Sequence, residues 1–415
     1  MHVLTRAAVS FALVASVALP ARAGTWIVDI NNGPGTNFTD LPQAIAAAAP
    51  GDVLIVRGGN YTAFTLDKGL TILGTPGPWP VGSQIGCCIP GQSIVTIPAN
   101  EVAVIADMRF TSDLWTQQSL GTVILDNLTL TDTVRLMQSS DVRVHRFLGE
   151  SIYVTDSRVE IASSTLNGRS GFGPGGSGST ALSISGGSNV LLARTSCRGG
   201  DGQDIPIGLP GNGGDGGHGV VLQASPTGAL PVPYLLLAGG GVSTIRGGNG
   251  GFTYFEFDGD DGDGFFNYKA GDWRSGATFV AGTKIGGALD LRYTAGPNSF
   301  DTAIQPDDPT LELVGTPAYA TPVRLDVHAT PGAVVRLTIG ATPILVPTSG
   351  VRVDKLVSPD QTVFLGVVPP SGVISHTVQF RRAFGPGSLL FAQAFMSDTL
   401  AGETRRTNSV PLLMR

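Results

Sequence analysis

From residue 24 onward, short apolar runs of four or five residues alternate with turns built from Gly, Asn and Asp. The first run is Trp26-Ile27-Val28-Asp29, followed by a Gly/Asn turn through Gly35. Leu41, Ala44, Ile45, Ala48 and Ala49 then recur at helical spacing and share one apolar face. Asp40 stands where an N-cap belongs, and Pro50-Gly51 ends the segment. That is the one helix the pattern predicts. Everything later reads as β: Val53–Val56, Leu70–Leu73, Val123-Ile-Leu-Asp-Asn-Leu-Thr-Leu130 and Ser140-Asp-Val-Arg-Val144 alternate and then turn.

The β segments also repeat. Ser157-Arg-Val-Glu-Ile-Ala-Ser-Ser-Thr-Leu-Asn-Gly168 aligns with Ser188-Asn-Val-Leu-Leu-Ala-Arg-Thr-Ser-Cys-Arg-Gly199, a shift of 31, and Arg198-Gly-Gly-Asp-Gly202 returns as Arg246-Gly-Gly-Asn-Gly250, a shift of 48. Equivalent strands at unequal intervals predict coils stacked into a solenoid, with loops of different length between them. Asp40-Leu-Pro-Gln-Ala-Ile-Ala-Ala-Ala-Ala-Pro-Gly-Asp52, Val56, Tyr61 and Lys68-Gly-Leu-Thr-Ile-Leu-Gly74 resemble the N-terminal cap of right-handed parallel β-helix proteins of the pectin-lyase-like fold. The resemblance implies that the helix lies across the open end of the first coil. It says little about activity, because lyases, hydrolases, adhesins and inert solenoids share it.

Between Gly168 and Gly264 lie 29 of the 58 glycines, interleaved with apolar strands. They read as loops projecting from successive coils, the flank where function on a rigid scaffold is expected. From Gly296 to Pro309 the chain turns to Pro, Asp and Asn, a domain boundary. Beyond it, Leu311–Val314, Val323–Val327, Val334–Ile339, Val363–Val367 and Leu389–Phe395 are β runs between Pro/Gly turns, the pattern of a small antiparallel sandwich. This C-terminus resembles β domains appended to secreted bacterial proteins. The expected fold is therefore all-β: a right-handed parallel β-helix with an N-terminal capping helix over residues 24–300, a linker at 301–306, and a small antiparallel β-sandwich over 307–415.

Composition narrows the setting. The chain has 415 residues, 42% of them hydrophobic and 14% charged, with a formal charge of −6. Collagen is excluded because Gly follows no Gly-X-Y period, and a nucleic-acid partner is disfavoured by the negative charge. Arg6, the apolar run Ala7–Leu19 and Ala21-Arg-Ala23 describe a signal peptide over residues 1–23, which predicts a secreted or cell-surface protein. That apolar run is too short to span a bilayer, and no later segment is long and apolar enough to serve as a transmembrane helix. Cys87, Cys88 and Cys197 remain, an odd number without metal-site spacing, and they read as small buried hydrophobes.

Candidate chemistry is sparse. The Trp-Ile-Asp-His and Arg-x-Pro-x-x-Arg stretches of β-helix lyases are missing, and Lys68 reads as structural. Polygalacturonase-like hydrolases pair carboxylates with a Gly-His-Gly; Gly217-His218-Gly219 is present, with Asp201, Asp204 and Asp215 upstream, but the accompanying Asn-Thr-Asp and Arg-Ile-Lys are absent. These four residues are the catalytic candidates. Asp258, Asp260, Asp261 and Asp263 place four carboxylates in six residues, a candidate Ca2+ loop, although Gly262 breaks the EF-hand spacing. Trp79, Trp115, Trp273, Tyr254 and Phe255 are candidates for stacking on sugars. Two functions stay open: a non-catalytic extracellular structural or binding module, with polysaccharide or a cell-surface component as partner, and a carbohydrate-active lyase or hydrolase with a degenerate site.

Overall fold

A computed structural model describes residues 23–75, 87–207, 209–223, 234–238, 244–252, 260, 262, 265–268, 272–275, 278–280, 309–318, 321–346, 355–379, 385–397 and 404–415. The candidate signal peptide before Ala23 and the 301–306 linker lie outside them. The helix, α1, spans Leu41–Ala47. Asp40 is its N-cap, accepting from the Leu41 amide at 2.8 Å, and the Lys68 ammonium donates to the Ala48 carbonyl at its other end. Leu41, Ala44, Ile45 and Ala48 enter the main core as the periodicity predicts, whereas Ala49 is exposed, because the helix stops at Ala47 and Ala48, its C-cap, is already extended.

After α1 the chain visits three parallel sheets in rotation. Sheet A has ten strands, running from Thr25–Val28 through Val102–Ala106, Thr122–Asp126, Asp141–His145 and Arg158–Ala162 to Asp272–Ser275. Sheet B has nine short strands, from Gly59–Asn60 to Thr278–Val280, and sheet C has eight, from Thr65–Leu66 to Phe265–Tyr268. The result is a parallel β-helix-like stack. Sheet A register pairs Ala103 with Val123, Val142, Val159, Val190 and Leu235 in succession, so consecutive coils take 20, 19, 17, 31 and 45 residues. Both repeats read from the sequence are coil neighbours: Arg158 pairs with Asn189, and Arg198 with Arg246.

The corners explain why so few glycines are needed in the short coils. Asp107, Asn127, Arg146, Ser163 and Arg194 each follow a sheet A strand in the left-handed region, at φ between 51° and 57°. Such a conformation costs an ordinary L-residue about 1 kcal/mol. Here it repeats coil after coil, with the Asn127 amide donating to the Asp107 carboxylate at 2.5 Å.

Residues beyond Thr310 form antiparallel sheets. Thr310–Val314, Pro322–His328 and Val373–Gln379 make one; Gln361–Val367, Val334–Gly340, Leu389–Ser397 and Thr404–Leu413 make another. The two share a core that includes Leu311, Leu325, Val335, Leu337, Ala394 and Leu412. This C-terminal unit lies against the outer face of sheet A. Leu73, Val104, Ala106 and Ile124 point outward from the solenoid and are buried against Leu356, Val357, Phe391 and Leu413. Sheet A strands such as Val102–Ala106 are accordingly apolar on both faces, as strands covered on both sides are. Sheet C strands instead alternate, with Leu114 and Thr116 buried and Trp115 and Gln117 partly exposed.

Candidate functional site

Three consecutive coils send glycine-rich excursions out between sheets B and C, after Asn167, Arg198 and Arg246. They are not loose loops. Outgoing legs bond in parallel: Gly199 N–H donates to Arg246 O at 2.8 Å, Gly202 to Asn249 O at 2.7 Å and Ile205 to Phe252 O at 2.9 Å. The intervening amides turn to the returning leg of the preceding excursion, Gly200 to Ser179 O and Gln203 to Gly176 O, both at 2.9 Å. Gly214 and Gly217 of the next returning leg then donate back to Gln203 and Gly200. Each set recurs every third residue. That is the period of an extended polyproline-II-type chain, not the two-residue period of a β-strand.

Close packing makes glycine obligatory in these legs. A Cβ on Gly199 would stand 1.8 Å from the Gly217 carbonyl oxygen, on Gly202 1.8 Å from Gly214 O, and on Gly248 1.9 Å from Gly200 O. The legs form a hydrogen-bonded glycine lattice whose turns present the exposed side chains Phe172 and Ile207.

The catalytic candidates belong to this lattice. Asp201 accepts from the Asn249 amide at 2.8 Å and from the Arg198 guanidinium at 2.8 and 2.6 Å. Asp204 accepts from the Phe252 amide at 2.8 Å, and Asp215 from the Asp260 amide at 2.9 Å. Each carboxylate thus ties its own excursion to the next. Asp201 and Asp204 lie on an outgoing leg, whereas Asp215 and His218 lie on the returning one. The His218 carbonyl accepts from Ala181 N at 3.0 Å, and burial lowers the pKa of its half-buried ring, favouring the neutral imidazole. Of the Ca2+ candidates, Asp260 is exposed, while Asp258, Asp261 and Asp263 lie outside the described residues. Among the described residues, no group of three or more His, Cys, Asp or Glu is placed to hold a metal.

A different face gathers binding chemistry. On the outside of sheet C, register aligns Trp115, Arg135 and Tyr153 on successive coils. The Arg135 guanidinium carbon stands 5.5 Å from the Trp115 ring centre and 5.2 Å from that of Tyr153. Asp113 steadies the row, accepting from the Trp115 indole at 3.2 Å and lying 3.9 Å from Arg135 Nε. Gln117, Met137 and Thr155 run alongside, each partly exposed. With parallel strands about 4.8 Å apart, the two rings sit about 9.6 Å apart along the stack, one cation between them. Trp115 was legible as a stacking candidate. Arg135 and Tyr153 were missed because only the coil length of about twenty residues brings them into line.

At the junction of sheet A with the C-terminal unit, a cavity of about 470 Å³ is lined by Leu73, Thr75, Asp107, Asn127, Arg146 and Arg415. Its charges are mutually engaged: Arg146 forks onto Asp126, and Arg415 reaches both Asp107 and Asp126. Cys197 is fully buried in the solenoid core, and burial pushes its thiol up to about 12. No helix among the described residues is long and apolar enough to cross a membrane. No family model, curated protein or solved structure matches this chain.

Proposed function

We propose that the protein is an exported, non-catalytic binding module of the right-handed, pectin-lyase-like kind, with α1 capping the first coil and polysaccharide bound along sheet C. The observation that carries this reading is the Trp115–Arg135–Tyr153 row. Aromatic faces stack on the apolar faces of sugar rings, and a regular coil rise gives such a row the linear repeat that a polymer requires. The three carboxylates of the hydrolase reading support it from the other side. Their oxygens accept lattice amides, which leaves them poorly disposed to hold a nucleophilic water or pass a proton. Export rests on the pattern of residues 1–23.

A glycan array followed by titration of the best polymer tests the reading. Trp115→Ala and Tyr153→Ala are each expected to weaken binding about tenfold, equivalent to ~1.4 kcal/mol, with the fold unchanged by circular dichroism. Binding of no glycan, or binding by both variants as tight as by the unaltered chain, would overturn it.

A further inference from the structure

The C-terminal unit covers an ionisable cluster on the outer face of sheet A. Arg143 is 1% exposed, and it bridges the two parts of the chain. Its guanidinium donates to Asp141 (2.9 Å), to the Leu356 and Ile344 carbonyls (3.2 and 3.3 Å) and to the Ser409 hydroxyl (3.3 Å). Asp141 also accepts from the Thr122 hydroxyl at 3.0 Å, so Arg143 and Asp141 neutralise each other in place. Glu160 and His145, both buried beside them, are left over. Glu160 accepts from Ser409, whose backbone amide bonds it and whose hydroxyl stands 3.2 and 3.1 Å from its two oxygens. His145 Nε2 has no hydrogen-bond partner and stands 3.6 Å from Glu160 Oε1.

Keeping both charged there would take an imidazolium and a carboxylate out of water at 3.6 Å, too far apart to share a hydrogen bond that would offset their desolvation. Other charged groups do not change this balance. Asp126, the register partner of His145 on the neighbouring strand, is held by Arg146 and Arg415, while the strand Thr404–Leu413 brings the neutral Ser409 to Glu160. We propose that seating the C-terminal unit on sheet A moves one proton from the His145 imidazolium to the Glu160 carboxylate, so that docking neither takes up nor releases protons in mildly acidic solution. Apart, the two side chains are an imidazolium and a carboxylate. Docked, they are an imidazole and a carboxylic acid, and the pair's total charge and proton count are unchanged.

The shifts agree with the geometry. Burial pushes Glu160 up from 4.5 to about 7 and His145 down from 6.5 to about 3. Between about pH 4.5 and 6.5, docking therefore protonates Glu160 and deprotonates His145. The first alone would weaken docking tenfold per pH unit as pH rises, and the second alone would strengthen it tenfold. In the native pair the two slopes cancel.

Hydrogen exchange on the full chain tests this, read at the buried Leu356 amide, which donates to Gln393 Oε1 at 2.9 Å, and corrected for intrinsic rates. The unaltered chain should change protection by less than about threefold from about pH 4.5 to 6.5. Glu160→Gln should gain about 50-fold over that interval, and His145→Gln should lose about 40-fold. A steep profile in the unaltered chain, or flat profiles in the variants, would overturn the proposal. Should a variant fail to fold, imidazole ¹⁵N shifts of the unaltered chain at about pH 5 decide: a neutral His145 upholds the transfer, an imidazolium refutes it.

Discussion

Gly199→Ala isolates the physics of the glycine lattice. The new methyl would fall 1.8 Å from the Gly217 oxygen, 2.4 Å from its carbonyl carbon and 2.9 Å from Gly248 N. All three are backbone atoms, so no side chain can swing away. Real Cβ contacts begin near 3.0 Å, so the legs must separate by at least 3.0 − 1.8 = 1.2 Å. That carries the bonds from Gly199 to Arg246 (2.8 Å), Gly217 to Gly200 (2.7 Å) and Gly248 to Gly217 (2.8 Å) out of range. Three bonds at ~1 kcal/mol each, plus ~1 kcal/mol of residual overpacking, give a loss of about 4 kcal/mol. Two controls separate contact from conformation. Gly173→Ala meets nothing within 4 Å but sits at φ +75°, so strain alone of about 1 kcal/mol is expected. Gly385→Ala meets nothing within 4 Å either and has no positive φ, so it should fall within ~0.5 kcal/mol of the unaltered chain. Hydrogen exchange reads the local term: protection at the Gly200, Gly217 and Gly248 amides should fall about 1,000-fold in Gly199→Ala. If those amides stay as protected as in Gly385→Ala, the legs are not packed as argued.

Two further outcomes are expected. Arg143→Met removes the cation that satisfies Asp141 and three acceptors of the C-terminal unit, and should cost about 3–5 kcal/mol in urea unfolding; a loss under ~1 kcal/mol would mean that the interface is not held there. If Asp258, Asp260, Asp261 and Asp263 bind Ca2+, free calcium at 100 times its dissociation constant should stabilise the chain by ~2.7 kcal/mol relative to EDTA, seen as a higher melting temperature. Identical melting curves would leave an acidic turn.

Residues that interact with near neighbours were legible in the sequence. The face of α1, the β alternation and both repeat shifts depend on spacings that a sequence displays directly. The glycine excursions were legible in position but not in kind. Glycine-rich tracts read as flexible when each residue is considered alone; here their order comes from partners up to 48 residues away, as when Gly199 bonds Arg246 and Asp201 bonds Asn249. Separations of 20 and 18 residues likewise hid the Trp115–Arg135–Tyr153 row.

Periodicity and turn chemistry by themselves determined a chain of short strands, one helix, and a change of pattern near residue 300, because backbone propensity and amphipathic spacing act locally. Tertiary structure decided which faces are covered. Arg143 and Glu160 stand on strands Asp141–His145 and Arg158–Ala162, and strand Thr404–Leu413 closes over them and takes them out of water. Desolvation depends on what arrives from elsewhere in the chain, and no spacing within a strand encodes that.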